Sequence, residues 1–295
     1  MDTPNRPSFT GSLAVCLLVG GLGSSLPAQK GGLVVKNGAK IAFLGDSITA
    51  GGARGPAGYC RLVISGLGSA GVKATMIPAG ISGHKSNQML ARLDRDVLDK
   101  KPDWMTLSCG VNDVWHGKRG VPLDQYKKNI TEIVEKTQAR GIQVMILTST
   151  MIREEQGNAL NKQLAPYNAF LKKLAIDKKC LLADLNADMQ AALITGRAKP
   201  QGHQLTTDGV HMNTLGNIMM ATGVLRSFGL NARQIAKATA EFESIPNSCQ
   251  VRLDSRMTVR DFKMLRGAAT KAGVSVQHLL QQAVDQRIAD LLKKK

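Results

Sequence analysis

Aromatic residues are scarce in this 295-residue chain, at 4% of the total with two tryptophans. A core of ordinary size must therefore be built from Leu, Ile, Val, Met and Ala. No Cys-x-x-Cys pair occurs and the five histidines are scattered, so the ligand spacing of a zinc site is missing. No apolar run approaches the roughly 20 residues that a membrane-spanning helix needs. Acidic residues are also few: 22 Asp and Glu stand against 39 Lys and Arg, a net charge of +17. That excess draws the chain towards polyanions and acidic surfaces but specifies no chemistry.

What is present is ordinary for a packed domain: 43% hydrophobic and 21% charged residues. The length suits one sizeable domain with an appendage, or two small domains. At the N-terminus, Arg6 precedes the short apolar run Leu13-Ala14-Val15-Cys16-Leu17-Leu18-Val19, and small residues lead to Leu26-Pro27-Ala28. This pattern predicts a secretory signal over residues 1–28, cut after Ala28, and a secreted or periplasmic protein. Loss of Cys16 leaves Cys60, Cys109, Cys180 and Cys249, for which three pairings exist and sequence does not choose. Cys109 and Cys180 lie in or beside apolar runs, where a buried free thiol is an equal alternative to a disulfide.

Five continuous apolar runs follow: Ile41–Leu44, Thr75–Ile77, Trp104–Leu107, Val144–Leu147 and Leu181–Ala183. Continuity rather than alternation predicts strands covered on both faces. Helical patterns lie between and after them, near residues 57–70, 86–100, 123–140, 160–178 and 212–228. Such repetition predicts an α/β fold, a parallel sheet between two helical layers, with chemistry at the carboxyl ends of the strands. Residues 29–230 are read as that domain and 231–295 as a C-terminal helical appendage, with a linker near Ile245-Pro246-Asn247-Ser248 and helices near 258–272 and 275–292.

The strand ends carry the chemistry-bearing residues. Run one leads into Gly45-Asp46-Ser47-Ile48, run two into Ala79-Gly80-Ile81-Ser82-Gly83-His84, and run three into Cys109-Gly110-Val111-Asn112-Asp113. Near the end, Thr207-Asp208-Gly209-Val210-His211 places a carboxylate three residues before an imidazole. A serine, a base and a carboxylate to orient it are what acyl transfer requires. Each motif alone has a bland alternative: a loop, a strand-to-helix turn, an Asx turn, a helix cap. Their order weighs far more than any one of them. Ser47, a glycine after the second strand, Asn112, then Asp208-x-x-His211, with Gly51 and Asn213-Thr214-Leu215-Gly216 in support, resembles the four blocks of the SGNH (GDSL) hydrolase superfamily over roughly residues 39–228.

That resemblance implies a three-layer α/β/α, flavodoxin-like fold with a five-stranded parallel sheet. It implies Ser47 as nucleophile, His211 as general base and Asp208 as its orienting partner. The oxyanion hole it implies is the backbone N–H of Ser47, the backbone N–H of Gly83 and the side-chain amide of Asn112, with Gly80 the alternative to Gly83. The second block departs from the usual pattern, with Pro78 near the place where an Asn often stands. Asp46 and Asp113 are read as structural, bonding backbone donors around the turns. Trp115 and His116 are read as lining the mouth of the site, Trp115 as a platform for a sugar ring or as a core residue. No metal or other cofactor is expected.

The expected substrate is a small-molecule or glycan ester, foremost an O-acetyl group on a carbohydrate; a lysophospholipase or thioesterase on the same fold is the alternative. The C-terminal stretch Val251-Arg252-Leu253-Asp254 with two helices faintly resembles a ribbon-helix-helix DNA-binding module, and residues 250–295 hold ten Lys and Arg against four Asp and Glu. An export signal argues against that role, so nucleic acid is not an expected partner. Helices that contact another partner or an acidic surface fit better.

Overall fold

A computed structural model describes residues 32–193, 203–246 and 257–293. The predicted signal segment 1–28, Cys249, the Asn247-Ser248 part of the predicted linker and the Val251–Asp254 segment lie outside the described residues.

The chain divides into two units, Met1–Ser248 and Cys249–Lys295. In the first, β1 (Lys40–Gly45) leads through α1 (Ser47–Arg54) and α2 (Tyr59–Ser69) to β2 (Thr75–Gly80). Next come α3 (Ser86–Ala91), α4 (Leu93–Asp96), β3 (Trp104–Ser108), α5 (Val111–Trp115) and α6 (Leu123–Ala139). β4 (Gln143–Leu147), α7 (Ala159–Asp177), β5 (Leu181–Ala183) and α8 (Leu185–Ala192) follow, then α9 (Thr214–Ser227) and α10 (Ala232–Glu243). The five strands form one parallel sheet in the order β2-β1-β3-β4-β5. This is the flavodoxin-like order, and its topological switch point, where ligands bind, lies between β1 and β3.

All five apolar runs are strands of this sheet. The central ones are buried from end to end, as in Ile41, Ala42, Phe43 and Leu44 of β1, because helices cover both faces. One layer gathers α2, α8, α9 and α10; α3, α6 and α7 form the other. The sheet's outer strand β2 alternates in burial and carries Pro78, which an edge tolerates because no ladder bond is lost on the open side.

Two departures from the sequence reading have local causes. The helix expected over 86–100 is broken into α3, α4 and a short 3₁₀ turn, Leu98–Lys100. Arg92, at the break, is buried and donates to Gly45 O, Ala79 O, His84 Nδ1 and Asp96 Oδ2. The side chain thus ties the ends of β1 and β2 together rather than facing solvent. The boundary expected at 230/231 falls inside the first unit, because α10 packs on α2 and α9 with Ala238 and Phe242 fully buried. Asn231 and Gln234 form a capping box at its start, a signal legible in the sequence.

The second unit holds α11 (Val259–Lys271) and α12 (Val276–Leu292), close to the helices expected at 258–272 and 275–292. Thr258 and Ser275 cap them through their side chains. Phe262, Met264, Leu291 and Leu292 are exposed.

Cys60, Cys109 and Cys180 are free thiols. Burial pushes the Cys60 and Cys109 thiols far above their ordinary range and Cys180 to about 11. Burial thus disfavours the nucleophilic thiolate form at all three.

Candidate active site

Asp46 caps α1, its Oδ1 accepting from Ile48 N at 2.9 Å. Ser47 is consequently the first residue of the helix, where its N–H has no partner four residues back. The helix start sits tightly on the strand ends: a side chain at Gly80 would collide with the backbone of Ala50.

His211 reaches the serine from a loop at the other end of the sequence. Its Nε2 lies 2.9 Å from Ser47 Oγ and its Nδ1 2.6 Å from Asp208 Oδ2. Asp208 Oδ1 also accepts from Val210 N and His211 N, at 3.0 and 2.8 Å. Gly209 provides the turn with φ +95°, open to glycine but strained for other residues. Burial raises the Asp208 carboxyl's pKa, but bonding to the His211 ring and to these backbone donors outweighs it, leaving the group below its ordinary value. An ionised carboxylate can only accept, so His211 Nδ1 carries the proton and the Nε2 lone pair faces the serine hydroxyl. That is the tautomer a general base needs.

Asn112 belongs to α5, whose cap Gly110 adopts φ +139° and has no room for a side chain beside Ser149. Tyr126 Oη and Ser149 Oγ both donate to Cys109 O, at 2.8 and 2.7 Å, and pin the chain between β3 and α5. The Asn112 amide is oriented from three sides. Nδ2 donates to Asp46 Oδ2 at 3.3 Å and to His84 O at 3.2 Å, and Oδ1 lies 3.2 Å from His116 Nε2. An amide oxygen only accepts, so His116 Nε2 carries a proton. Gly83, next to His84, has φ +78° with open space where a side chain would be.

Ser47, Asp208 and His211 are thus in one hydrogen-bonded chain, and Asn112 joins Asp46 to the turn that holds Gly83. Asp46 and Asp113 do bond backbone donors, Asp113 through Ser86 N at 3.0 Å, but Asp46 also holds the Asn112 amide. Trp115 is exposed beside His116, their rings edge-on at 6.4 Å. Sequence reasoning had no place for Glu154, whose carboxylate accepts from the backbone of Gln204, Leu205 and Thr206 in the histidine-bearing loop. Among the described residues no group of three or more His, Cys, Asp or Glu could hold a metal ion.

Asp46 is fully buried, and that burial pushes its carboxyl from the ordinary 3.8 to about 6, against the Ile48 N–H bond; the nearby Asp113 adds to the rise and His211 opposes it. A carboxyl raised on folding contributes stability that is complete below its unfolded pKa and lost as pH rises through about 6. Asp46→Asn removes this titration. The stability difference between the native chain and the variant should move in the variant's favour by about 3 kcal/mol between about pH 3.5 and 7, measured by urea unfolding. A difference constant with pH would mean that Asp46 titrates at its ordinary value.

The family model for the GDSL-like Lipase/Acylhydrolase family matches residues 43–217. An acetylxylan esterase of Geobacillus stearothermophilus is 27% identical over 214 residues, 66% of this chain and 96% of its own length. Esterase TesA of Pseudomonas aeruginosa is 32% identical over 108 residues, covering 36% of this chain and 52% of that protein. Among solved structures, an acetyl xylan esterase shares 35% identity at a TM-score of 0.59, covering 63% of this chain and 97% of its own. Three structures of the Geobacillus enzyme are described as catalytic mutants, replacing a serine, an aspartate and a histidine by alanine, the last two three positions apart.

Proposed function

Since the chain belongs to the GDSL-like lipase/acylhydrolase family and is a carboxylic-ester hydrolase, we propose that it removes O-acetyl groups from a carbohydrate by serine acyl transfer. Ser47 Oγ attacks the ester carbonyl while His211 Nε2 takes its proton, and Asp208 stabilises the imidazolium that forms. Negative charge on the former carbonyl oxygen is met by the N–H groups of Ser47 and Gly83 and by Asn112 Nδ2. His211 then protonates the departing sugar oxygen, leaving an acetyl-serine. Water, activated by the same histidine, releases acetate and restores Ser47. The observation that carries this reading is the unbroken line from Asp208 Oδ2 through His211 to Ser47 Oγ, with steps of 2.6 and 2.9 Å.

The acetyl-carbohydrate assignment draws support from likeness to two acetylxylan esterases and from Trp115, whose exposed ring beside the site suits a sugar face. Export through the 1–28 signal would put the enzyme where such glycans are; a mature chain would begin near Gln29. The purified mature protein, offered p-nitrophenyl acetate, longer acyl esters and acetylated xylan, should show its highest kcat/KM with acetyl and release acetate from the polysaccharide. Preference for long acyl chains would replace this reading with a lysophospholipase or thioesterase.

On this reading the second unit is an appendage. Truncation after Ser248 should leave a folded enzyme that cleaves p-nitrophenyl acetate as the full chain does, because Ser47, Gly83, Asn112, Asp208 and His211 all precede the division. A folded but inactive truncation would show that the tail completes the site.

A further inference from the structure

Residues 153 and 154, which follow β4, grip the loop that bears Asp208 and His211. Glu154 Oε2 accepts from Gln204 N at 2.7 Å; Oε1 accepts from Leu205 N at 2.8 Å, Thr206 N at 2.7 Å and Thr206 Oγ1 at 2.7 Å. Thr206 Oγ1 in turn accepts from Gly209 N at 3.0 Å. Arg153 N donates to Gly209 O at 2.7 Å, and Arg153 itself is held at φ +61°, a left-handed backbone that is strained in a residue other than glycine. Beneath them, Asn161 of α7 accepts from Ile152 N and donates to the carbonyls of Arg153 and Glu155.

Three successive backbone N–H groups converging on one carboxylate make an anion nest, and charge-assisted bonds of this kind are about twice as strong as neutral ones. The loop's own bonds, among them the Thr206–Met212 bridge, Thr207 N to His211 O at 2.8 Å and Asn213 N to Leu205 O at 3.0 Å, shape its turn, while Glu154 and the Arg153 N–Gly209 O bond tie that turn to the segment after β4. We propose that Glu154 is a positioning residue that sets His211 at bonding distance from Ser47, a role that rests on the acyl-transfer reading above. Burial raises the Glu154 pKa, but the Gln204, Leu205 and Thr206 donors outweigh it and keep the carboxyl below its ordinary value, so it is ionised at neutral pH.

Glu154→Gln presents an NH₂ group to donors that need an acceptor; Glu154→Asp keeps the charge but withdraws it by one methylene. In the full chain, Glu154→Gln should lower kcat for p-nitrophenyl acetate by about 10²-fold, the effect of a misplacement near 1 Å, with KM little changed. Inactivation by a serine-directed fluorophosphonate should slow in parallel. The far-downfield proton resonance of His211 Nδ1–H should shift or broaden, a readout that needs no turnover. Glu154→Asp should fall between the two, and it carries the test alone where Glu154→Gln fails to fold. A folded variant with native kcat and a native His211 resonance would overturn the proposal. So would a loss confined to KM, or one matched by the fraction unfolded. Failure of the acyl-transfer reading would look different: Ser47→Ala would keep turning over, whatever Glu154 does to the histidine resonance.

Discussion

Replacing Ser47 or His211 with alanine should lower kcat on the order of 10⁴–10⁶-fold while the chain stays folded. In the proposed mechanism the two side chains act as one unit: without Oγ there is no nucleophile, and without Nε2 there is nothing to take its proton. Their effects should not add. The double variant should be no slower than the poorer single one, with residual turnover supplied by the oxyanion donors and substrate binding. Folding should survive because Ser47 Oγ has the His211 ring as its partner and the helix cap belongs to Asp46, which remains. Kinetics on p-nitrophenyl acetate, with circular dichroism as the fold control, decide the matter. Near-native turnover by folded Ser47→Ala would remove the serine from the chemistry. Multiplicative losses in the double variant would mean that His211 acts on something other than the Ser47 proton.

These residues were legible because each sits in a local pattern whose geometry is set by the chain around it. A continuous apolar run read as a covered strand and followed by Gly-Asp-Ser puts the serine at that strand's carboxyl edge, and the order of the later motifs separates this from an ordinary loop. Asp208 and His211 meet because three residues and Gly209 make one turn. The sheet was legible for the same reason: five uninterrupted apolar runs have few places to go but the centre of an α/β/α sandwich. What sequence concealed depends on contacts made far along the chain. Glu154 stands in Arg153-Glu154-Glu155, which reads as a solvated charge run, and its partners lie about fifty positions away, at Gln204 to Thr206. Arg92 reads as the polar face of one helix, whereas its guanidinium enters the core and meets carbonyls of two strands. Helix α5 has five residues, too few for any period to show, and its start depends on the backbone of Gly110.

Asn112→Ala should reduce kcat by roughly 10²–10³-fold and change KM far less, the usual loss for one oxyanion donor. The amide lies ready but engaged. Its two N–H bonds run to Asp46 Oδ2 and His84 O at 3.3 and 3.2 Å, both long for such bonds. Charge developing on the substrate oxygen offers a stronger acceptor than either, so one N–H can turn to it in the transition state without moving the backbone. His116 holds Oδ1 meanwhile and prevents the amide from flipping. A ground-state carbonyl, being neutral, competes poorly for the same donor, which is why the effect belongs in kcat. The variant also strips a buried Asp46 of its amide partner, so a stability loss of about 1–3 kcal/mol is expected alongside. Activity must therefore be measured well below the melting transition. A boronic acid that mimics the tetrahedral adduct separates the two effects: its affinity should fall in step with kcat/KM, while a ground-state alcohol product should bind as before. If Asn112→Ala raised KM and left kcat and boronate affinity intact, Asn112 would be a substrate-binding residue, and the oxyanion would rest on the N–H groups of Ser47 and Gly83 alone.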